Sequence, residues 1–128
     1  SFNQNINDWK VGKVTDMKSM FEKATSFNQN INDWKVGKVT DMKEMFMDAS
    51  TFNKDISDWD ISNVSEFSGF IRNAKNFDKS LNKWGPLLGK RGTEKYLKYH
   101  LENFIDKKAT KFKSEYYKDW PDMYKDKL

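Results

Sequence analysis

Cysteine is absent from this chain, which excludes disulfides, thiolate metal sites and cysteine nucleophiles without fixing a redox compartment. Histidine occurs once, at His100, and arginine twice, at Arg72 and Arg91, among 23 basic residues. A lysine-dominated surface with no arginine stripe and no recognised motif argues against nucleic acid as a partner. No run of 18 apolar residues exists, so no membrane-spanning helix is expected. No signal peptide is visible. The chain opens on Ser1–Phe2 inside a repeated unit and reads as a fragment or mature piece whose export signals, if any, lie upstream.

What is present is aromatic and charged. Aromatic residues make up 16% of a chain that is only 37% hydrophobic, which points to a core of stacked Phe, Trp and Met. At 128 residues there is room for one continuous core but not for two independent ones. The net charge of +4 is uneven: residues 1–76 carry −1 and residues 77–128 carry +5.

Internal periodicity dominates the pattern. Residues 2–20 and 27–45 differ only at Ser19 against Glu44, a third copy starts at Phe52, and a fourth starts at Phe77 and then departs. Columns recur every 25 residues: Phe2/Phe27/Phe52/Phe77, Trp9/Trp34/Trp59/Trp84, and Ile6/Ile31/Ile56 with Leu81. Within a unit, Met17, Met20, Phe21 and Ala24 have the spacing of one helix face. Thr15 and Asp16 precede it as N-cap types, and Asp41 with Glu44 has the form of a capping box. Ile6-x-x-Trp9-x-Val11-x-x-Val14 has the alternation of a short strand between turns. One such unit cannot bury its own apolar face, so stacking is required. The expected fold is therefore α/β: a strand–helix solenoid of three to four repeats over residues 1–84, with a linker and C-terminal helical cap over 85–128. Thr93–Glu94 would start the cap helix, its apolar face being Tyr96/Leu97, Leu101, Phe104/Ile105, Ala109 and Phe112. It would reach Tyr117, with Trp120–Pro121 ending it.

The I-x-x-W-x-V-x-x-V register resembles that of leucine-rich repeats. The longer pattern F-N-Q-x-I-x-x-W-x-V-x-x-V-T-D-M-x-x-M-F-x-x-A resembles the BspA-like 25-residue repeats of mycoplasma surface lipoproteins, the PARCEL repeats. The resemblance covers residues 1–84 and is strongest in the first two copies. It implies a cell-surface or secreted protein, lipid-anchored in its full-length form, with a role in adhesion or host contact. It brings no catalytic residues.

Little in the chain answers to catalytic chemistry. His100 would need a Ser or Thr and an acid beside it, and reads instead as a helix-surface or cap-packing residue. Gly85-x-x-x-Gly89-Lys90 has one residue too few between its glycines for a phosphate loop, and Arg91 follows where Ser or Thr is needed. The Asp8/Asp33/Asp58 column would place like charges roughly 4.8 Å apart, a repulsion of about 0.9 kcal/mol per neighbour in water. Without oxygen-rich, glycine-rich loops this is no calcium site. Compensation by Lys10/Lys35 and Lys13/Lys38, or acceptance of turn N–H groups, is the expected relief. Asn3, Asn28 and Asn53 are expected to bond neighbouring backbone as a structural ladder. The Trp column is expected in the core, the alternative being a stacking platform for sugars.

These readings lead to a non-catalytic scaffold for macromolecular interaction. Its partner-contact face would comprise Asp8, Lys10, Lys13, Asp33, Lys35, Lys38, Asp58, Asp60 and Asn63. The expected partner is a protein, such as a host surface macromolecule, with membrane contact only through an upstream anchor. No metal or cofactor is expected. A carbohydrate-binding module, or an accessory domain of an enzyme whose active site lies elsewhere, are the alternatives.

Overall fold

The computed structural model describes residues 2–89, 101–106 and 110–128. The α/β strand–helix solenoid expected from the pattern does not form. From Phe2 to Leu81 there is no helix, and paired extended backbone is limited to two isolated parallel bridges, Asp16 with Asp41 and Asp41 with Glu66. The described helices are short and late: 3-10 turns at Asn82–Trp84 and Ser114–Tyr117, and α-helices at Gly85–Gly89 and Asp122–Lys125. Each 25-residue copy is instead a coil of consecutive turns laid against the next.

Backbone conformation explains why the helical spacing misleads. Ser19, Lys23, Glu44, Asp48, Gly69 and Asn73 all adopt φ between 56° and 66°, so the right-handed path is interrupted every four residues. Each non-glycine residue there costs about 1 kcal/mol. The offset comes from N–H groups that turn away from their own coil. Met17, Ser19, Phe21 and Lys23 donate to the carbonyls of Asp41, Lys43, Met45 and Met47 at 2.8–2.9 Å. Met42, Glu44, Phe46 and Asp48 repeat this onto Glu66, Ser68, Phe70 and Arg72. The alternate N–H groups close four-residue turns, such as Met20 to Met17 and Ala24 to Phe21. A chain of such turns keeps apolar residues at i, i+3, i+4 and i+7 on one side, as a helix would, but commits half its donors to the neighbouring copy. Every buried polar backbone group needs a partner, and here a lateral one serves.

The expected strand meets a similar fate. Trp9, Trp34 and Trp59 N–H groups donate three residues back to Ile6, Ile31 and Ile56 carbonyls. Asn5, Asn30 and Asp55 side chains accept the N–H two residues on. Asp16 and Asp41 do the same for Lys18 and Lys43, so the expected helix caps are Asx turns. Short polar side chains thus hold the backbone in turns at the positions where a strand or helix would begin.

Side chains from all copies meet in one core. The phenylalanine column runs Phe2–Phe27–Phe52–Phe77 with centroids 5.7–5.9 Å apart and near-parallel rings. Trp34 and Trp59 stack at 6.5 Å and 2°. Each buried indole also satisfies its one donor on the preceding copy: Trp34, Trp59 and Trp84 Nε1–H donate to the carbonyls of Ile6, Ile31 and Ile56. This is the usual requirement for a tryptophan in a core.

The expected helical cap also fails. Leu101–Asp106 is not helical, and neither is the stretch from Thr110 to Lys113. Thr93, Glu94, Tyr96, Leu97, His100 and Ala109 lie outside the described residues. What the segment does is prolong the columns. Gly69 and Ile71 N–H groups donate to Glu102 and Phe104 carbonyls, repeating the bonds made one copy earlier by Glu44 and Phe46. Asn103 takes φ 56°, matching Ser19, Glu44 and Gly69 in the same place. Phe112 stacks on Phe77 at 5.8 Å, and Trp120 on Trp84 at 6.3 Å, with Trp120 Nε1–H donating to the Leu81 carbonyl. The segment is thus a further coil in disguise, its spacing stretched by the residues after Trp84. Gly85 permits this approach. A Cβ there would stand 2.5 Å from the Asp119 carbonyl oxygen.

Candidate functional site: a charged face across three copies

All nine residues expected on the contact face are exposed: Asp8, Lys10, Lys13, Asp33, Lys35, Lys38, Asp58, Asp60 and Asn63. The turns that carry them are fixed from beneath by Ile6, Val11, Trp34, Val36, Val39, Trp59, Ile61 and Val64, all buried. Copies one and two each present one acid and two lysines, and copy three presents two acids and an asparagine. The face is therefore basic at one end and acidic at the other.

The aspartate column is relieved differently from expectation. Among the described residues, Lys10, Lys13, Lys35 and Lys38 form no ion pair with it. Asn7 Nδ2 donates to Asp33 (3.1 Å) and Asn32 Nδ2 to Asp58 (2.9 Å), so each copy lends an amide to the acid of the next. Lys83, which occupies the aspartate position of the fourth copy, bonds Asp58 at 3.0 Å and ends the column with an opposite charge. That bond and the Lys83 charge hold the Asp58 carboxyl below its ordinary range, and Asp58 raises Lys83 in turn. Lysine at a charged column ends like-charge repulsion where a fourth acid would extend it. The contribution of Asn7, Asn32 and Lys83 escaped the sequence reading, although Lys83 stands 25 residues after Asp58 in plain register.

Asp60 accepts from the Ser62 N–H and hydroxyl, and Asn63 Nδ2 donates to the Gly37 carbonyl at 2.7 Å. The Asn63 bond ties the acidic end of the face to copy two. Between the two copies lies an open groove of about 420 Å³, its polar wall made by Asp33, Lys35, Asp58 and Asp60. Among the described residues no group of three or more His, Asp or Glu side chains converges as a metal cage. No described helix is long and apolar enough to cross a membrane.

The other residues singled out in the sequence fall on two further lines. Asn3 Oδ1 accepts the Asn28 N–H, Asn28 Oδ1 the Asn53 N–H, and Asn53 Oδ1 the Asp78 N–H, at 2.8–2.9 Å. Phe27, Phe52, Phe77, Trp34, Trp59 and Trp84 are buried, so those three indoles offer no ring face to a sugar. Phe2 and Trp9 depart from the expected core: they are 43% and 52% exposed. Each interior ring is covered on one side by the preceding copy, and no described residue lies on that side of the first copy.

A family model described as Mycoplasma protein of unknown function, DUF285, matches residues 1–88. No curated protein and no solved structure matches the chain.

Proposed function

From the premise that the chain belongs to the mycoplasma DUF285 family, we propose that it is a non-catalytic scaffold that contacts another protein at the cell surface. The observation that carries this reading is the division of labour between the frame and the charged face. Backbone bonds between copies, the Asn ladder and the buried rings hold the coils together. Lys10, Lys13, Lys35 and Lys38 point into solvent and hold nothing. A ladder of charges at fixed spacing suits contact with a complementary ladder on a partner, many weak contacts acting together. Attraction of this kind steers encounter and discriminates partners more than it adds affinity.

The resemblance to BspA-like repeats of surface lipoproteins supports a surface location and host contact, with the anchor supplied elsewhere in the full-length protein. No cofactor is needed for such a role. The test is capture of host-cell surface proteins on the immobilised 128-residue chain, compared with a variant carrying Lys10, Lys13, Lys35 and Lys38 changed to Glu. Capture should be lost in the variant and weaken with salt, while the melting temperature stays within a few degrees. Equal capture by both chains would contradict the proposal.

A further inference from the structure

The corner that carries the asparagine ladder changes charge along the stack. In copy two it runs over residues 25–29 and holds no charged side chain. The matching stretches of later coils, residues 50–54, 75–79 and 110–114, hold five lysines and one aspartate: Lys54, Lys75, Lys79, Lys111, Lys113 and Asp78. Phe52, Phe77 and Phe112 fix their register in space, stacking beneath at 5.8 Å a step. Lys75, Lys111 and Lys113 are exposed, and Lys54 and Lys79 are half-buried. Neighbouring coils lie well inside the Debye length of about 8 Å at physiological ionic strength, so these ammonium groups act as one field.

The fold gains nothing from this charge. Gln29, at the position of Lys54 and Lys79, donates through Nε2 to the Asn3 carbonyl and Oδ1. Lys54 and Lys79 give up that bond, and among the described residues none of the five lysines has an ion pair. Lys111 is held by Asn76 Oδ1 at 3.1 Å, and Lys113 lies 5.7 Å over the Tyr116 ring. The Asp78 carboxylate accepts the Tyr116 hydroxyl, and Asp55, at the edge of the strip, accepts the Ser57 N–H. Like charges one coil apart repel. The strip is therefore explained by what it meets outside the stack.

We propose that this strip is a second binding surface, sharing no residue with the protein-contact face, and that its ligand is a sulfated glycosaminoglycan chain laid along the stack. Sulfate esters stay charged at any physiological pH, and lysine meets them as a compact point charge. Thr51, Asn76 and Ser114 share the strip and suit the hydroxyls of a sugar chain. A membrane is the poorer fit, because Phe52, Phe77 and Phe112 are buried and no apolar side chain of the strip is offered to an acyl layer. Nucleic acid is poorer still, since the strip has no arginine and no exposed ring on which a base could stack.

The test measures binding of a heparin oligosaccharide to the intact 128-residue chain by calorimetry, over a series of salt concentrations. Lys54→Gln with Lys79→Gln installs the residue that copies one and two carry there, so the stack is kept. It should weaken binding about tenfold and flatten the salt dependence, because two counterion-releasing contacts are lost. Lys10→Gln with Lys35→Gln removes the same charge from the protein-contact face and should leave heparin affinity within about threefold of the unaltered chain. No heparin binding by the unaltered chain, unchanged binding by the first variant, or an equal loss in the second overturns the proposal. Equal affinity for chemically desulfated heparin overturns it as well. Tighter binding to phosphatidylserine vesicles or to duplex DNA would do the same, by making a lipid surface or a nucleic acid the partner.

Discussion

Residues 2–81 and residues 101–128 build the same columns by different means. In the first region the interval is a constant 25 residues, and each ring, turn and left-handed residue recurs in step. In the second the interval is 35 from Phe77 to Phe112 and 36 from Trp84 to Trp120, yet both rings stack on their predecessors within 6.3 Å. Asn82 repeats toward Glu115 and Asp119 the kind of bonds that Asn32 makes to Asp58. What the stack demands is a ring and a donor at a given place in space, not a count along the chain. Extra residues between stacked positions are tolerated because lengthening the intervening chain adds little closure entropy.

The comparison breaks most sharply at its tryptophans. Trp59→Ala should destabilise by about 3–5 kcal/mol, the usual cost of deleting a large buried ring. Trp120→Ala should cost a similar amount if the second region is a true continuation, since it is only 3% exposed and bonds Leu81. Trp9→Ala, with half its surface in solvent and no indole bond, should cost under about 1 kcal/mol. Urea unfolding of the three variants ranks them, and a Trp120 variant as mild as the Trp9 one would separate the two regions.

Gly85→Ala comes next in size. The added Cβ strikes the Asp119 backbone, so the second region must shift or detach, at about 1–3 kcal/mol. Hydrogen exchange should show this loss at Trp120 and Tyr116 and leave residues 27–64 unchanged.

Proton linkage gives the smallest effects. The Tyr116 hydroxyl donates to Asp78 at 2.6 Å, and that bond, with burial, raises its pKa above the ordinary value near 10. A raised folded-state pKa means stability present below the unfolded value and lost as pH climbs past it, so Tyr116→Phe should flatten the alkaline limb of stability. Asp58 runs the other way. Its pKa is depressed by Lys83, so its contribution is present above the ordinary carboxylate range and fades as pH falls through the depressed value. Both partners are exposed, so solvent screening makes that contribution small, and Lys83→Met should move the acid limb barely at all. Melting temperatures between about pH 2 and about pH 11 separate the two effects.

These contrasts also mark how far the sequence could be read. The columns were legible because Phe, Trp and Asn recur unchanged. The conformation was not, because Ser19, Lys23 and Glu44 have no preference for positive φ that would announce a turn. Copy three held the clue: Gly69 and Asn73, both tolerant of that region, occupy those same two places. A period near four residues is shared by helices and by chained turns, so the spacing of Met17, Met20, Phe21 and Ala24 fitted either. The continuation past Trp84 was hidden by its broken interval, although Asp119–Trp120 repeats the Asp–Trp pair of copies one to three. The nine charged and polar face residues were legible as exposed positions, but the amides and the lysine that bond Asp33 and Asp58 belong to neighbouring copies, and only stacking brings them together.

A nuclear Overhauser spectrum of the intact chain tests the continuous stack most directly. Cross-peaks should join the Trp120 indole to Trp84 and Leu81, and the Phe112 ring to Phe77. Rings of Trp120 and Phe112 that report only their own sequence neighbours would show that the columns end at the fourth copy.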